Sequence, residues 1–533
     1  MRGRALPLFL VFVFTALYLV PVVRLGLNPY DEGVRLYGAD RVLAGDFPYY
    51  DFFAYYGPGQ FYWPALLFKI FGTEIVVARL GAVLFVCVAA VAVFALCRNA
   101  GLSWPWASLP IAALVLPLRA GDQLITCDPA LSLVLAAGAT LTGGWGGRRR
   151  SFLAGTLLGL AVAFRHDFGV YGAIAGVAVS FLGYWWPPEA GRDSWPIAKQ
   201  TIGALWDLRA LLGGIATTAV PVYGLLAVHG PARLVESLLT EPARLMPFRA
   251  LPYGYYELPQ VHAWISGGSG SPRATADPGT LAIFIVPVLG LLLSFTLIDR
   301  RVRRRISTRY ERIETLLFVL VTAVGLGIYA WGRSDWYHVY PLYVLSVMVV
   351  SLVLAPMARS DSRVIAIAVA LVAMAAVALR LALVVSGPLG VGIPVHLPRA
   401  EGIVVRSSLA WVGDAVQDIW RYGDGGPILV AAERHDRVHW NALILYFLSG
   451  RRSGTYFHDM IPGLTTRRQV QERIVEDLSK NRVRTVVIWK GLPKEEPNES
   501  RFSSGAFVLD EYLRSEFSRV RETEKYQILV RRE

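Results

Sequence analysis

Two adjacent carboxylates, Asp31 and Glu32, stand eight residues beyond a charge-free apolar run from Leu6 to Val23 that is just long enough to cross a bilayer. Asp40, Asp46 and Asp51 follow, with only Arg35 and Arg41 to balance them. Seven aromatic residues crowd Phe47 to Tyr56, and the stretch closes on Tyr56-Gly57-Pro58-Gly59. A carboxylate held at a water–lipid boundary can take a proton from a hydroxyl, and aromatic faces suit a saccharide ring. Asp31 is therefore the candidate base, Glu32 its partner or a metal ligand, and Tyr56 a substrate-binding residue. Plainer readings exist for the same residues: Asp caps helices, and aromatic side chains gather at membrane interfaces without doing chemistry.

Ionisable residues beside or within apolar stretches are expensive, which makes each a functional candidate. Asp128, after the loop that carries Asp122, would add a further carboxylate, although Asp128-Pro129 also reads as an ordinary helix start. Arg165, His166 and Asp167 interrupt an apolar stretch, and Arg165 offers a two-pronged donor suited to phosphate. Arg333-Ser-Asp-Trp-Tyr-His338 closes another apolar run. There Arg333 and His338 are candidates for a phosphate and Asp335 for orienting one of them, with a structural Arg333–Asp335 ion pair as the alternative.

The elements that must position these residues are helices. The chain has 533 residues, 54% of them hydrophobic, and a mean hydropathy of +0.44, which indicates a polytopic α-helical membrane protein. Apolar runs predict eleven spans at 6–23, 76–97, 105–118, 128–146, 152–166, 169–186, 211–228, 280–298, 314–331, 340–356 and 364–386. Residues 57–72, broken by Pro58, Pro64 and Lys69, predict a partly embedded helix. Arg148 to Arg150 and the cluster at Arg300 to Arg305 both belong on the cytoplasmic side. Either count leaves the N-terminus inside and the Asp31 loop outside. Those clusters carry much of the net charge of +13, so nucleic acid is not implied as a partner. Cys87, Cys97 and Cys127 have no metal-site or disulfide spacing.

The division expected is a membrane domain over 1–387, with its first external loop at 24–75, and a C-terminal domain over 388–533. In the tail, strand-like runs (428–432, 483–489, 527–530) alternate with helical patterns (440–448, 468–480, 508–517), which predicts a small extracytoplasmic α/β domain. His435-Asp436 and His458-Asp459 read as surface or turn positions more readily than as metal ligands. The Pro-, Tyr- and Gly-rich loop at 229–279 reads as a segment able to cover a site or as a plain connector.

Asp31-Glu32 after the first helix, then Leu43-Ala-Gly-Asp-Phe-Pro-Tyr-Tyr-Asp51 and Tyr55-Tyr-Gly-Pro-Gly59, resembles the first external loop of the C-type glycosyltransferases. That superfamily includes the dolichyl-phosphate-mannose–protein mannosyltransferases and the bacterial aminoarabinose transferases. The resemblance covers roughly residues 1–385. It implies a membrane enzyme of a bacterial inner membrane that moves a sugar, with inversion, from a polyprenyl-phosphate donor to an extracytoplasmic glycan, lipid or protein. It also implies that Asp31 is the base, that Asp128 or Asp122 is the second acid, and that Arg165 stands where Lys is commoner. Some members use a divalent cation, so Mg²⁺ or Mn²⁺ on Glu32 and Asp128 is open. The rival is a transporter of lipid-linked saccharide, which would show repeat symmetry and broken helices; no convincing repeat is seen.

Overall fold

The computed structural model describes residues 2–126, 129–143, 147–182, 197–256, 258, 278–298, 310–355, 392–491 and 495–533. The membrane part consists of α1 (Arg2–Leu19), α2 (Asp31–Leu43), α3 (Gly59–Phe71), α4 (Ile75–Asn99), α5 (Trp104–Val115), α6 (Pro129–Thr142), α7 (Gly147–Phe164), α8 (His166–Leu182), α9 (Ile197–Ala227), α10 (Pro231–Val235), α11 (Glu241–Arg249), α12 (Pro278–Phe295), α13 (Tyr310–Gly332) and α14 (Trp336–Leu354). Ten of these fall on the first ten predicted runs. The eleventh run, 364–386, and the Arg300 to Arg305 cluster lie outside the described residues. Among the described residues, five helices are long and apolar enough to cross a membrane, namely α1, α4, α9, α13 and α14. The chain at 57–72 forms the thirteen-residue α3, too short to span.

Small residues draw the membrane helices together. Gly155 and Gly159 of α7 and Gly214 of α9 face one another so closely that a methyl group at any of them would meet the neighbouring helix backbone. Where lipid offers no hydrophobic drive between helices, such backbone contact is what packing depends on. α4 is enclosed by α1, α5 and α6, and its alanines and Cys87 and Cys97 belong to the central core.

The tail carries β1 (Gly392–Pro394), β2 (Val404–Arg406), α15 (Trp411–Tyr422), β3 (Ile428–Ala432), α16 (Ile444–Ser449), α17 (Arg468–Lys480), β4 (Thr485–Trp489), α18 (Val508–Glu516), β5 (Phe517–Glu522) and β6 (Tyr526–Arg531). The main sheet runs β3-β4-β6-β5, parallel between β3 and β4 and antiparallel thereafter, with Val430 opposite Val487 and Val487 opposite Ile528. Its alternate residues serve two different cores, as the pleat requires. Leu429, Ala431 and Val486 pack with Ile474 and Leu478 of α17 and Leu509 of α18. Ile428, Val430 and Val487 pack with Val412 and Val416 of α15, and that core continues without a break into Val34, Leu36 and Tyr37 of α2.

The loop after the first helix and the tail are thus one packed body. Gly33 of α2 lies against the backbone of Leu443 and Ile444, where a side chain would collide with the chain itself. The Ile444 amide donates to the Pro29 carbonyl at 2.9 Å, and Phe447 stacks on Phe68 of α3 with ring centres 5.7 Å apart. All six residues of α16 are buried by this contact. Each large apolar side chain among them contributes about 1.5–3 kcal/mol.

Candidate functional site

Asp31 is the first residue of α2, and Asn28 fixes the way the chain enters this helix. The Asn28 side-chain oxygen accepts from the amides of Tyr30 (3.1 Å) and Asp31 (2.9 Å). Its Nδ2 donates to Asp31 Oδ2 at 3.0 Å, which fixes the carboxylate at the mouth of the helix. Asp31 itself is half-buried. Tyr337, one residue into α14, lies in the electrostatic field of Asp31, Asp122 and Asp335 together.

Glu32 has a different fate from the one its neighbourhood suggested. Both of its oxygens are held by Arg79 of α4, Nε to Oε1 at 2.7 Å and Nη2 to Oε2 at 2.8 Å. The two side chains are 2% and 3% exposed. Arg79 also donates to the carbonyls of Val23 (2.7 Å) and Gly26 (2.9 Å), so it fastens the chain leaving α1 to the start of α2. Glu32 thus ties α2 to α4, a pairing that the sequence reading did not foresee. Asp128 lies outside the described residues. Asp122 faces Gly26, where its Oδ1 is buried without a hydrogen-bond partner among the described residues. Burial, with Glu32 close by, pushes the Asp122 carboxyl up to about 6.

Of the carboxylates expected for Mg²⁺ or Mn²⁺, Glu32 has both oxygens on Arg79, and Asp128 lies outside the described residues. Among the described residues, no three His, Cys, Asp or Glu side chains gather as a metal site.

The turn Tyr56-Gly57-Pro58-Gly59 brings the aromatic loop to the end of α7. A Cβ at Gly57 would lie 2.6 Å from the carbonyls of Ala163 and Phe164, so only glycine lets the loop approach here. Arg165 follows at once. It forks onto Asp167 (2.9 and 3.1 Å) and donates to the Tyr329 hydroxyl at 3.1 Å, with its guanidinium 4.2 Å from the Tyr329 ring centre. Tyr329 packs on the ring of His338 at 4.9 Å. His338 Nδ1 is 2.6 Å from Asp335 Oδ1, and Asp335 also caps α14 by accepting from the His338 amide at 3.2 Å. The His166 Nδ1 is buried and has no hydrogen-bond partner among the described residues.

Arg333 completes this chain and turns away from it. Its Nε donates to Asp335 at 2.7 Å, while Nη2 and Nη1 fork onto Glu496 of the tail at 2.8 and 3.0 Å. Nη1 also donates to the Arg249 carbonyl at 2.9 Å. Glu496 therefore fills the fork that Arg333 was expected to offer a phosphate. Burial works against the charge of each partner; the pairing outweighs it, holding the Arg333 guanidinium above and the Glu496 carboxyl below their ordinary ranges.

The side chain of Arg249, at the end of α11, is the cation that the sequence reading missed. Its guanidinium lies 5.3 Å from the Tyr55 ring centre, and no hydrogen bond joins it to a described residue. Burial opposes its charge, and the surrounding Tyr55, Tyr56, Tyr30 and Asp459 outweigh that effect. No signal marked it in the sequence, because it falls in a polar, proline-rich stretch where arginine is ordinary. The His-Asp pairs expected at surface or turn positions are instead buried, His435 at 1%, Asp436 at 0%, and His458 and Asp459 at 2% each. His435 bonds Asp510 at 2.9 Å. His458, enclosed by Tyr37 and Phe52, is pushed down to about 3 by burial and so is neutral.

The site thus combines a carboxylate held by Asn28, a row of tyrosines and two cations: Arg165, joined through Tyr329, His338 and Asp335 to Arg333, and Arg249, whose backbone carbonyl accepts from Arg333. This arrangement can accept a proton from a hydroxyl and balance negative charge on a departing group.

Over its whole length the chain is similar to the aminoarabinose transferase ArnT from Cupriavidus metallidurans bound to undecaprenyl phosphate. The TM-score is 0.54 and the identity 14%, over 99% of this chain and 98% of that one. The apo state of the same protein gives 0.52 and 14%, over 98% of each chain. A weaker likeness, 0.44 at 13% identity over 91% of this chain and 70% of the other, is to the Archaeoglobus fulgidus oligosaccharyltransferase. No family model matches the sequence, and no curated protein matches it.

Proposed function

We propose that this chain, which has the fold of the C-type glycosyltransferases, is an integral membrane enzyme that moves a sugar from a polyprenyl-phosphate donor to an acceptor outside the cytoplasm of a bacterium. The observation that carries this reading is the position of Asp31. Its charge and that of Asp335 both act on Tyr337, and its charge and that of Arg249 both act on Asp459, while Arg165 holds Tyr329 and Tyr30 holds Asp459. ArnT, whose fold the chain shares, binds undecaprenyl phosphate, which supports a lipid phosphate as donor.

Asp31 removes the proton of the acceptor hydroxyl as that oxygen attacks the anomeric carbon. The bond between this carbon and the phosphate oxygen breaks on the opposite face, which inverts the configuration. The electron pair leaves with the phosphate. Arg249 stabilises the charge that develops there, in a setting where buried donors act more strongly than in water; the fork of Arg165 is already on Asp167. Asp122 is available as a second carboxyl beside Tyr337. The N-terminus is cytoplasmic in this reading, and the tail closes the site from outside.

The test is transfer from radiolabelled undecaprenyl-phosphate sugars by purified protein in proteoliposomes, with product formation and lipid translocation followed separately. Asp31→Asn is expected to lower turnover by about 10²–10⁴-fold with the lipid still bound. Wild-type turnover in Asp31→Asn removes this residue as the base. Translocation without product replaces the enzyme by a transporter.

A further inference from the structure

The glycine contacts between α7 and α9 bring three side chains together at one end of this helix pair. The guanidinium of Arg148, in the first turn of α7, lies 4.5 Å from the centre of the Trp206 ring, and that of Arg209, one turn further along α9, lies 5.3 Å from it. All three side chains are exposed, and among the described residues neither arginine has a carboxylate partner. α7 contains no acid, and Asp207, the acid of α9, is only 5% exposed. Leu205 and Leu212 recur with Trp206 and Arg209 at helical spacing and are exposed too, as are Phe152 and Leu153, one turn along α7 from the cations. This end is the far one from the candidate site. α9 finishes beside the first loop, where Tyr50 donates to the Leu226 carbonyl at 2.7 Å. A helix rises about 32 Å from Trp206 to Ala227, which matches a hydrocarbon core of about 30 Å.

We propose that Arg148, Trp206 and Arg209 hold an anionic phospholipid of the leaflet opposite the candidate site, the cytoplasmic leaflet in the orientation given above. The phosphate accepts from both guanidinium groups, whose N–H donors are charged and suited to its oxygens. Trp206 sits at the depth where indole rings collect, and its face attracts both cations, so they converge before the lipid arrives. Backbone contact between α7 and α9 at Gly155 and Gly214 sets the spacing of the two arginines. Below the head group the acyl chains run along Phe152, Leu153, Leu205 and Leu212, continuous with the lipid-facing surface of α9. Basic clusters between membrane helices on this side select acidic head groups. A zwitterionic head group brings an ammonium as well, and neither helix exposes an acid to meet it. The site lies across the membrane from Asp31 and stands independently of any sugar transfer.

The test uses full-length protein in detergent and native mass spectrometry with dioleoyl phosphatidylglycerol and dioleoyl phosphatidylcholine. Wild type is expected to bind the anionic lipid about tenfold tighter than the zwitterionic one. The double variant Arg148→Ala/Arg209→Ala is expected to lose that preference while holding phosphatidylcholine within twofold of wild type. Arg148→Gln alone, the milder change, is expected to lose part of it. A control removes the same charge from the tail, Arg473→Ala/Arg519→Ala, where both side chains are more than half exposed, and is expected to keep the full preference. Equal binding of the two lipids by wild type overturns the proposal. So does an unchanged preference in both variants of the site. A control that loses as much as the double variant overturns it as well, because the effect is then one of net charge.

Discussion

Arg333, between two membrane helices, and Glu496, in the tail, form a two-bonded ion pair with N–O distances of 2.8 and 3.0 Å. Glu496 is 2% exposed on its side chain and also accepts from the Tyr256 hydroxyl at 2.8 Å and from Asn498 at 2.9 Å. Removing one member of such a pair leaves a buried charge uncompensated. Glu496→Ala is therefore expected to lower stability by about 3–5 kcal/mol, read as a fall in thermal midpoint in detergent. The carboxyl sits below its unfolded range, so the pair's stabilisation holds above about pH 4.5 and fades as pH falls below it. The midpoint difference between wild type and variant should shrink at acid pH.

The neighbouring carboxylates Asp31 and Glu32 are expected to separate cleanly under mutation. Glu32→Ala strands the buried Arg79 and should cost about 3–5 kcal/mol, while Asp31→Asn, half-exposed, should shift stability by less than about 1 kcal/mol and lose turnover. Thermal melts and transfer assays on both variants decide the matter. A Glu32→Gln protein that melts like wild type yet is inactive would assign Glu32 to chemistry after all.

Arg249 gives a third expectation. A charged hydrogen bond is worth about 1.5–3 kcal/mol, so Arg249→Ala should weaken undecaprenyl phosphate binding by about ten- to a hundredfold. Arg249→Lys keeps the charge and loses the fork, and should fall between. Titration of lipid against each variant measures this directly, and unchanged affinity in Arg249→Ala would move the phosphate elsewhere.

A fourth concerns pH. The Asp459 carboxyl is raised to about 7 by burial, Tyr30 and Arg249 opposing and Asp31 adding. A raised carboxyl contributes most when protonated, below its unfolded value of about 3.9, and loses that contribution as pH climbs through 7. Asp459→Asn carries no such dependence. Its thermal midpoint relative to wild type should therefore rise from pH 4 to pH 8; a constant difference would mean that Asp459 is charged throughout.

The helices of the membrane part were legible because apolar runs have to fold internally in lipid, and α4, α13 and α14 lie within a few residues of the runs that predicted them. In the tail, β3 and α17 were equally clear, whereas β5 was missed. Its residues after Phe517 are exposed and mostly charged, as an edge strand allows, so no alternation marks it. α15 was also missed, although Trp411, Val412, Ala415, Val416 and Ile419 recur at helical spacing. In the site, the local clusters at Arg165 and Arg333 could be read because each interrupts an apolar stretch. Arg79 sends the same signal from inside the run of α4, and giving it weight would have supplied Glu32 with its partner. Arg249, Asp459 and Glu496 were beyond such reading, since their meaning comes only from contacts hundreds of positions apart.

Those long separations set an order of events in the cell. The segment from Asn28 to Tyr56 leaves the ribosome early, but Ile444, Ser453, Tyr456 and Asp459, which hold it in place, arrive some four hundred residues later. Until then seven aromatic side chains and a row of carboxylates lack the part of the chain that packs on them. Closure over such a distance is slow and leaves the unfinished chain open to wrong partners. A copy clipped before residue 444 would lack every one of those contacts, and the loop would be left without the packing that orders it.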